Sequence, residues 1–134
     1  MKNKTLITAC LLAVLLLLTL TACAARSPKM QLDGVTRIEL QGGTTGAVVE
    51  ITAPDEVAAL ARTFAELKHL RTESSANATG WSYRLRFYAG TELREDVAIL
   101  GSQRLSRGGY FYDITAGEID FAYLDTLLEG ARNE

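Results

Sequence analysis

The sequence predicts an α+β domain in which two helices pack on one face of an antiparallel sheet. Three observations predict this class. Short segments alternate apolar and polar residues, two other segments carry apolar stripes at helical spacing, and the elements follow each other as ββαββββα over residues 35–134. Strands followed by segregated helices favour an antiparallel sheet with the helices on one side. A chain of 134 residues has room for one such domain with its own core.

The first half of the domain is predicted to be a β-hairpin followed by a helix. Residues 35–41 and 47–51 alternate on either side of a glycine-rich connector, as the strands of a hairpin do. Pro54 and the two acidic residues after it suit the first turn of a helix. The apolar residues that follow share the spacing of one helical stripe: Val57, Leu60, Ala61, Phe64 and Leu67.

The second half is predicted to be a four-stranded meander and a final helix. Residues 71–80 are polar and small, which favours a loop. Residues 81–88 alternate most clearly, and we expect Trp81 to share the buried row with Tyr83, Leu85 and Phe87. Gly108-Gly109 suits a two-residue hairpin turn, because both glycines accept positive φ. A capping-box pattern at residues 115–118 predicts that the last helix starts there and ends before Gly130.

Residues 1–22 are predicted to be a signal peptide. Lys2 and Lys4 precede an apolar stretch at residues 6–20. As a helix this stretch is about 22 Å long, which is short of the roughly 30 Å hydrocarbon core of a bilayer. Its length therefore favours a signal-peptide core over a permanent span.

The end of this leader resembles the lipobox of bacterial lipoprotein precursors, in which a leucine and two small residues precede a cysteine. Leu20-Thr21-Ala22-Cys23 matches at every position. The resemblance implies lipidation of Cys23 and anchoring at the extracytoplasmic face of the cell membrane, or in an outer membrane if the organism has one. Two alternatives stay open: a small-x-small cleavage site around Cys23, which gives a secreted soluble protein, and an uncleaved anchor.

Residues 23–34 are predicted to be the lipidated cysteine and a tether, followed by the single domain at 35–134. The tether contains Ser27-Pro28 and shows no periodicity. Fully extended, residues 24–34 reach at most about 36–40 Å, so the domain is expected to stay near the membrane. In pattern, though not in motif, the domain also resembles the small lipoproteins common in Firmicutes.

Composition limits the chemistry of the domain. Both cysteines, Cys10 and Cys23, lie in or at the end of the leader, which leaves no disulfide and no thiol nucleophile. His69 is the one histidine and is expected to be solvated at the end of the first helix, so we expect no metal and no cofactor. Without the leader, which contains Lys2 and Lys4, the chain has 12 basic and 16 acidic residues and a net charge of −4. That balance argues against nucleic acid as a partner.

The polar side of the meander is the candidate binding surface. A hairpin centred on Gly90 pairs residues whose numbers sum to 180, which places Arg84 opposite Asp96 and Arg86 opposite Arg94. Like charges opposed across strands are destabilising, so this pair indicates an anionic ligand or a carboxylate of an envelope protein. The alternative is an ordinary solvated face. The candidate residues are Arg84, Arg86, Arg94 and Arg104, the last of which is expected opposite Asp113.

The same register places Glu95 in the apolar row. This position indicates either an end of the sheet that is open to water or a bulge that shifts the phase of the strand.

The favoured function is a membrane-anchored, non-enzymatic binding or interaction module of the cell envelope. The sequence contains no Gly-x-Ser-x-Gly elbow, and its carboxylates are scattered rather than paired. The alternative is an envelope-acting enzyme or enzyme inhibitor whose site is built from arginines and carboxylates. A concave pocket with converging titratable groups favours the alternative, and a flat or grooved face favours the binding module.

Overall fold

The computed structural model of the chain describes residues 2–21 and 27–133. These residues form three helices and one antiparallel sheet of seven strands, so the predicted α+β class is confirmed. The helices are α1 (Lys2–Thr21), α2 (Pro54–Glu66) and α3 (Phe121–Arg132). The strands are β1 (Arg37–Gly42), β2 (Val48–Ile51), β3 (Lys68–Ser74), β4 (Tyr83–Ala89), β5 (Glu92–Ile99), β6 (Arg104–Arg107) and β7 (Tyr110–Ala116). Across the sheet their order is β2-β1-β4-β5-β6-β7-β3.

The core lies between one face of the sheet and the helices α2 and α3. Phe64 of α2 meets Phe87 edge to face, with ring centroids 5.4 Å apart. Phe121 of α3 stacks on Tyr83 at 5.4 Å. Because Tyr83 and Phe87 lie on the same side of β4, both helices cover one face of the sheet, which we call the inner face. The side chains with no exposed surface are Ile38, Leu40, Leu85, Phe87, Val97, Ile99 and Leu105.

The structure contains one strand more than the predicted order ββαββββα. Helix α2 ends at Glu66, and β3 follows at once and pairs with β7 at the edge of the sheet. Apart from His69, its residues are all exposed, so β3 has no apolar alternation to reveal it. Pairing with Lys68 also extends β7 to Ala116, which lies inside the predicted capping box at residues 115–118, and Asp120 caps the final helix instead.

Residues from Ser27 onward are packed on the domain, so the prediction of a free tether up to residue 34 is wrong for this part. Met30 and Leu32 are each only 7% exposed and belong to the core. The hydroxyl of Ser27 accepts a hydrogen bond from the backbone N–H of Arg71 in β3 at 3.0 Å. We call residues 27–32 the N-terminal strap. Two alternating apolar side chains were too short a signal to predict it.

The predicted lipidation residue, Cys23, lies outside the described residues. Helix α1 covers most of the predicted signal peptide. In the described part of the chain, no helix is long and apolar enough to cross a membrane.

Candidate functional site

The candidate arginines lie on or near the outer face of the sheet, which is the face away from the helices, but their pairing differs from the prediction. Arg86 faces Asp96 and not Arg94. The hairpin turn is Gly90-Thr91, which pairs Ala89 with Glu92.

A bulge in β5 completes the change of register. Continued without a bulge, the two-residue turn would place the charged Asp96 opposite the buried Leu85. Arg94 is instead the extra residue of a bulge, and Val97 moves opposite Leu85. The structure contains a bulge, one of the two possibilities left open for Glu95, but the bulge does not remove Glu95 from the apolar row: Glu95 stays opposite Phe87 on the inner face and is buried there. The prediction that Arg86 lies opposite Arg94 is therefore wrong, and this prediction was the reason to expect an anionic ligand.

Carboxylates partner the arginines of this face. Arg84 forms a two-pronged pair with Asp96, at 2.8 Å from Nε and 2.7 Å from Nη2. Arg86 pairs with Glu39 and lies 3.6 Å from Asp96. These partners balance the positive charge, so an anion would find no unbalanced positive charge on Arg84 or Arg86.

The other two candidate arginines behave differently from one another. Arg104 lies opposite Asp113 as predicted, donates to it at 2.9 Å, and lies 3.4 Å from Glu73. Arg94 has a looser contact of 3.8 Å with the exposed Glu92. The four residues therefore do not converge on one anion site.

Hydrogen bonding to Asp96 raises the pKa of Arg84 above its ordinary value, although burial acts in the opposite direction. The charged form of Arg84 is thus the form that this part of the sheet stabilises.

A cleft of about 330 Å³ lies beside the Arg84–Asp96 pair. Trp81 lines it together with Ala98 and Ser106, whose short side chains stand directly opposite each other on β5 and β6. Trp81 is half-buried and is not part of the core, so its predicted place in the buried row of β4 is wrong.

The backbone around Ser82 explains where Trp81 lies. Ser82 donates its N–H to Ile99 at 2.7 Å and accepts from the N–H of Gly43 at 2.8 Å, which fixes a bend before β4. A Cβ atom at position 43 would lie 1.8 Å from the carbonyl oxygen of Trp81, so only glycine fits there. The bend ends the alternation of β4 at Tyr83 and leaves Trp81 beside the outer-face cleft.

A buried ion pair lies on the inner face, beneath the N-terminal strap. Glu95 and Arg107 are each 9% exposed at the side chain, and they form two hydrogen bonds, of 2.8 and 3.1 Å. The strap supplies two more partners: the N–H of Gln31 donates to Glu95 at 2.8 Å, and the carbonyl of Pro28 accepts from Arg107 at 2.6 Å. Within the described residues, no buried side-chain nitrogen or oxygen lacks a partner.

His69 borders this pair rather than standing solvated at a helix end. Its Nδ1 lies 3.2 Å from the carbonyl oxygen of Leu67, and its Nε2 lies 3.4 Å from Arg107 Nη1. Since a carbonyl can only accept and a guanidinium can only donate, these contacts assign the hydrogen of a neutral imidazole to Nδ1. Tyr112 lies edge-on to His69, with ring centroids 5.1 Å apart. Sequence reasoning missed this cluster, and its one signal was Glu95 in an apolar row.

A hydrogen bond between β4 and α3 makes the stability of the fold depend on pH. The hydroxyl of Tyr83 donates to Asp125 at 2.6 Å. This bond, together with burial and the charge of Asp125, raises the pKa of Tyr83 to about 12. Folding raises the pKa of Tyr83, so the hydrogen bond stabilises the folded state as long as Tyr83 is protonated. This stabilisation is complete below pH ~10 and is lost as the pH rises through about 12.

Replacing Asp125 with Asn should therefore return the pKa of Tyr83 toward its ordinary value. The measurement is the ultraviolet absorbance of tyrosinate during a pH titration. Tyr83→Phe serves as the assignment control, since it should remove the same high-pH component. An unchanged titration in Asp125→Asn would contradict the assignment of the raised pKa to this bond.

In the part of the chain that is described, no group of three or more His, Cys, Asp or Glu side chains is arranged to hold a metal ion. No family model, curated protein or solved structure matches the chain.

Proposed function

We propose that the chain is the precursor of a bacterial lipoprotein whose single domain is a non-enzymatic binding module of the cell envelope, anchored by lipid on Cys23. The observation that carries the proposal is the lipobox Leu20-Thr21-Ala22-Cys23, which ends only four residues before Ser27, where the chain is already bound to the sheet. Two acyl chains on one cysteine provide stable anchoring that a single chain does not.

The N-terminal strap supports an orientation at the membrane. Four residues span at most about 14 Å, so Ser27 lies within that distance of Cys23. Ser27 is bound to β3, and the strap and the end of α2 border a groove of about 930 Å³ on the same side. Lys29, Lys68 and the acidic Glu66 are all exposed beside this groove. In the proposed arrangement this side of the domain faces the lipid headgroups, and the distance to the bilayer is set by residues 24–26 rather than by a long tether.

The balanced outer face supports a binding role. Its charged side chains engage each other across strands, and the cleft beside Trp81 interrupts an otherwise paired surface. The Glu95–Arg107 cluster is covered by the strap and uses its hydrogen-bonding groups internally. The cleft beside Trp81 brings two titratable groups together, Arg84 and Asp96, but these are bonded to each other. A catalytic acid or base has to exchange a proton with a substrate, and on this ground we prefer the binding module to the enzyme alternative.

The anchor is tested by replacing Cys23 with Ser in cells fed a fatty-acid analogue that can be labelled. We expect the wild-type protein to be labelled and to sediment with membranes, and we expect Cys23→Ser to lose the label completely and remain as an uncleaved precursor or be released. Cys10→Ser is the matched control, because it removes the other cysteine of the chain and should leave labelling unchanged. Labelling that persists in Cys23→Ser, or a wild-type protein without label, would overturn the proposed anchor.

A further inference from the structure

The outer-face cleft exists because two small side chains meet between larger ones. Arg84 on β4 stands opposite Ala98 on β5, which in turn stands opposite Ser106 on β6. Ala98 and Ser106 thus form a low floor beside the long side chain of Arg84. A loop at residues 75–80 forms the wall, where the N–H of Ser75 donates to the carbonyl of Gly109 at 2.9 Å. The volume of about 330 Å³ lies at the lower end of the range for small-molecule sites.

The charges in the cleft favour a neutral ligand. Arg84 and Asp96 already neutralise each other through two hydrogen bonds. Arg107 also lines the cleft, but its guanidinium is bound to Glu95. The Arg84–Asp96 pair has no net charge, so it offers neither an anion nor a cation an unbalanced charge of the opposite sign. A neutral ligand can use both groups without breaking the pair, because the guanidinium has five N–H donors, of which two are used, and the carboxylate keeps unused lone pairs.

The remaining lining favours a ligand with one apolar face and a polar rim. Trp81 offers the large, flat apolar surface of an indole and one N–H donor. Ser75 and Ser106 add hydroxyl groups, and Ala98 adds a small apolar contact. A pyranose ring has this same division, with C–H groups on its faces and hydroxyl groups around its rim.

We infer that this cleft binds one ring of a neutral saccharide, with the ring stacked on Trp81 and its hydroxyl groups bonded to Arg84 and Asp96. The inference rests on the proposed function, because a binding module held outside the cell membrane faces the glycans of the envelope. It adds the chemical class of the ligand and its site.

The single tryptophan makes a direct test possible, because Trp81 is the chain's one tryptophan and its fluorescence reports on the cleft alone. The full-length protein is purified in a zwitterionic detergent without a sugar headgroup. It is titrated with N,N′,N″-triacetylchitotriose, cellotriose and maltotriose, and separately with sodium sulfate. We expect a saturable change in emission with at least one trisaccharide and none with sulfate.

Three variants locate the binding. Arg84→Lys keeps the charge but loses the two-pronged pair and should weaken the affinity at least tenfold. Ser106→Leu fills the floor without touching the ion pair and should abolish binding. Arg37→Lys is the control, since Arg37 lies on the same face with Glu50 and Tyr88, outside the cleft, and should bind as the wild type does. Thermal melting confirms that each variant is folded.

No response to any of the three trisaccharides, saturation by sulfate instead, or equal weakening by Arg84→Lys and Arg37→Lys would overturn the saccharide site. The same titration is run on Cys23→Ser, which separates this result from the lipid anchor. Saccharide binding by an unlipidated protein supports the site even where the anchor fails, and a lipidated protein that does not respond overturns the site alone.

Discussion

Replacing Glu95 with Ala is expected to lower the free energy of unfolding by about 3–5 kcal/mol, because it leaves the guanidinium of Arg107 buried without its carboxylate. Such a loss is a large share of the stability of a small domain, which is about 5–15 kcal/mol in total. The measurement is the urea midpoint and slope of the protein. A second readout is local: the N–H of Gln31 loses its acceptor, so its hydrogen exchange should accelerate with that of the strap.

The matched control removes both charges. Glu95→Leu combined with Arg107→Met replaces the pair by apolar side chains of similar size, and exchanges of this kind are often neutral or stabilising. We expect the double variant to recover most of the stability lost by Glu95→Ala. A cost below about 1 kcal/mol for Glu95→Ala would mean that the pair behaves as an exposed one, contrary to its position beneath the strap.

Replacing Phe64 with Ala is expected to lower the free energy of unfolding by about 3–5 kcal/mol. Phe64 is 1% exposed and forms an edge-to-face contact with Phe87 between α2 and the sheet. Its loss removes apolar contact area and leaves a cavity that neighbouring side chains fill only in part. Thermal and urea unfolding of the protein measure the change.

Leu70→Ala is the control for this core substitution. Leu70 is also a large apolar residue, but its side chain is 53% exposed on the edge strand β3, and surface substitutions usually change stability by no more than about 0.5 kcal/mol. Similar losses in the two variants would show that Phe64 does not join the helix to the sheet as its contact with Phe87 indicates.

The sequence by itself determined the elements that have one buried and one solvent-exposed side. The stripe that contains Leu60 and Phe64 predicted α2, and the alternation through Leu85 and Phe87 predicted β4. Gly108 and Gly109 have the positive φ values, 56° and 83°, that the predicted hairpin turn requires. These features depend on near neighbours in the chain, so periodicity and turn chemistry suffice to find them.

The candidate site was only partly predictable, because strand register depends on turn length and bulges. The pair of Arg104 with Asp113 was predictable, since the tight glycine turn left one choice of register. The partner of Arg86 was not, because a two-residue turn and a bulge at Arg94 together move β5 by two positions. The turn and the bulge together thus placed Asp96, instead of Arg94, opposite Arg86.

The remaining features were decided by contacts between segments far apart in the chain. Edge strand β3 is held by backbone pairing with β7. Its side chains are almost all exposed, so their pattern does not predict a strand. Glu95, Arg107 and the strap at Gln31 meet only in the folded sheet, across separations of 12 and 64 residues. Trp81 lies beside the cleft because Gly43 and Ser82 bond at a bend. Hydrogen bonds between distant backbones have no period in the sequence, and for that reason only the tertiary structure decides where these residues lie.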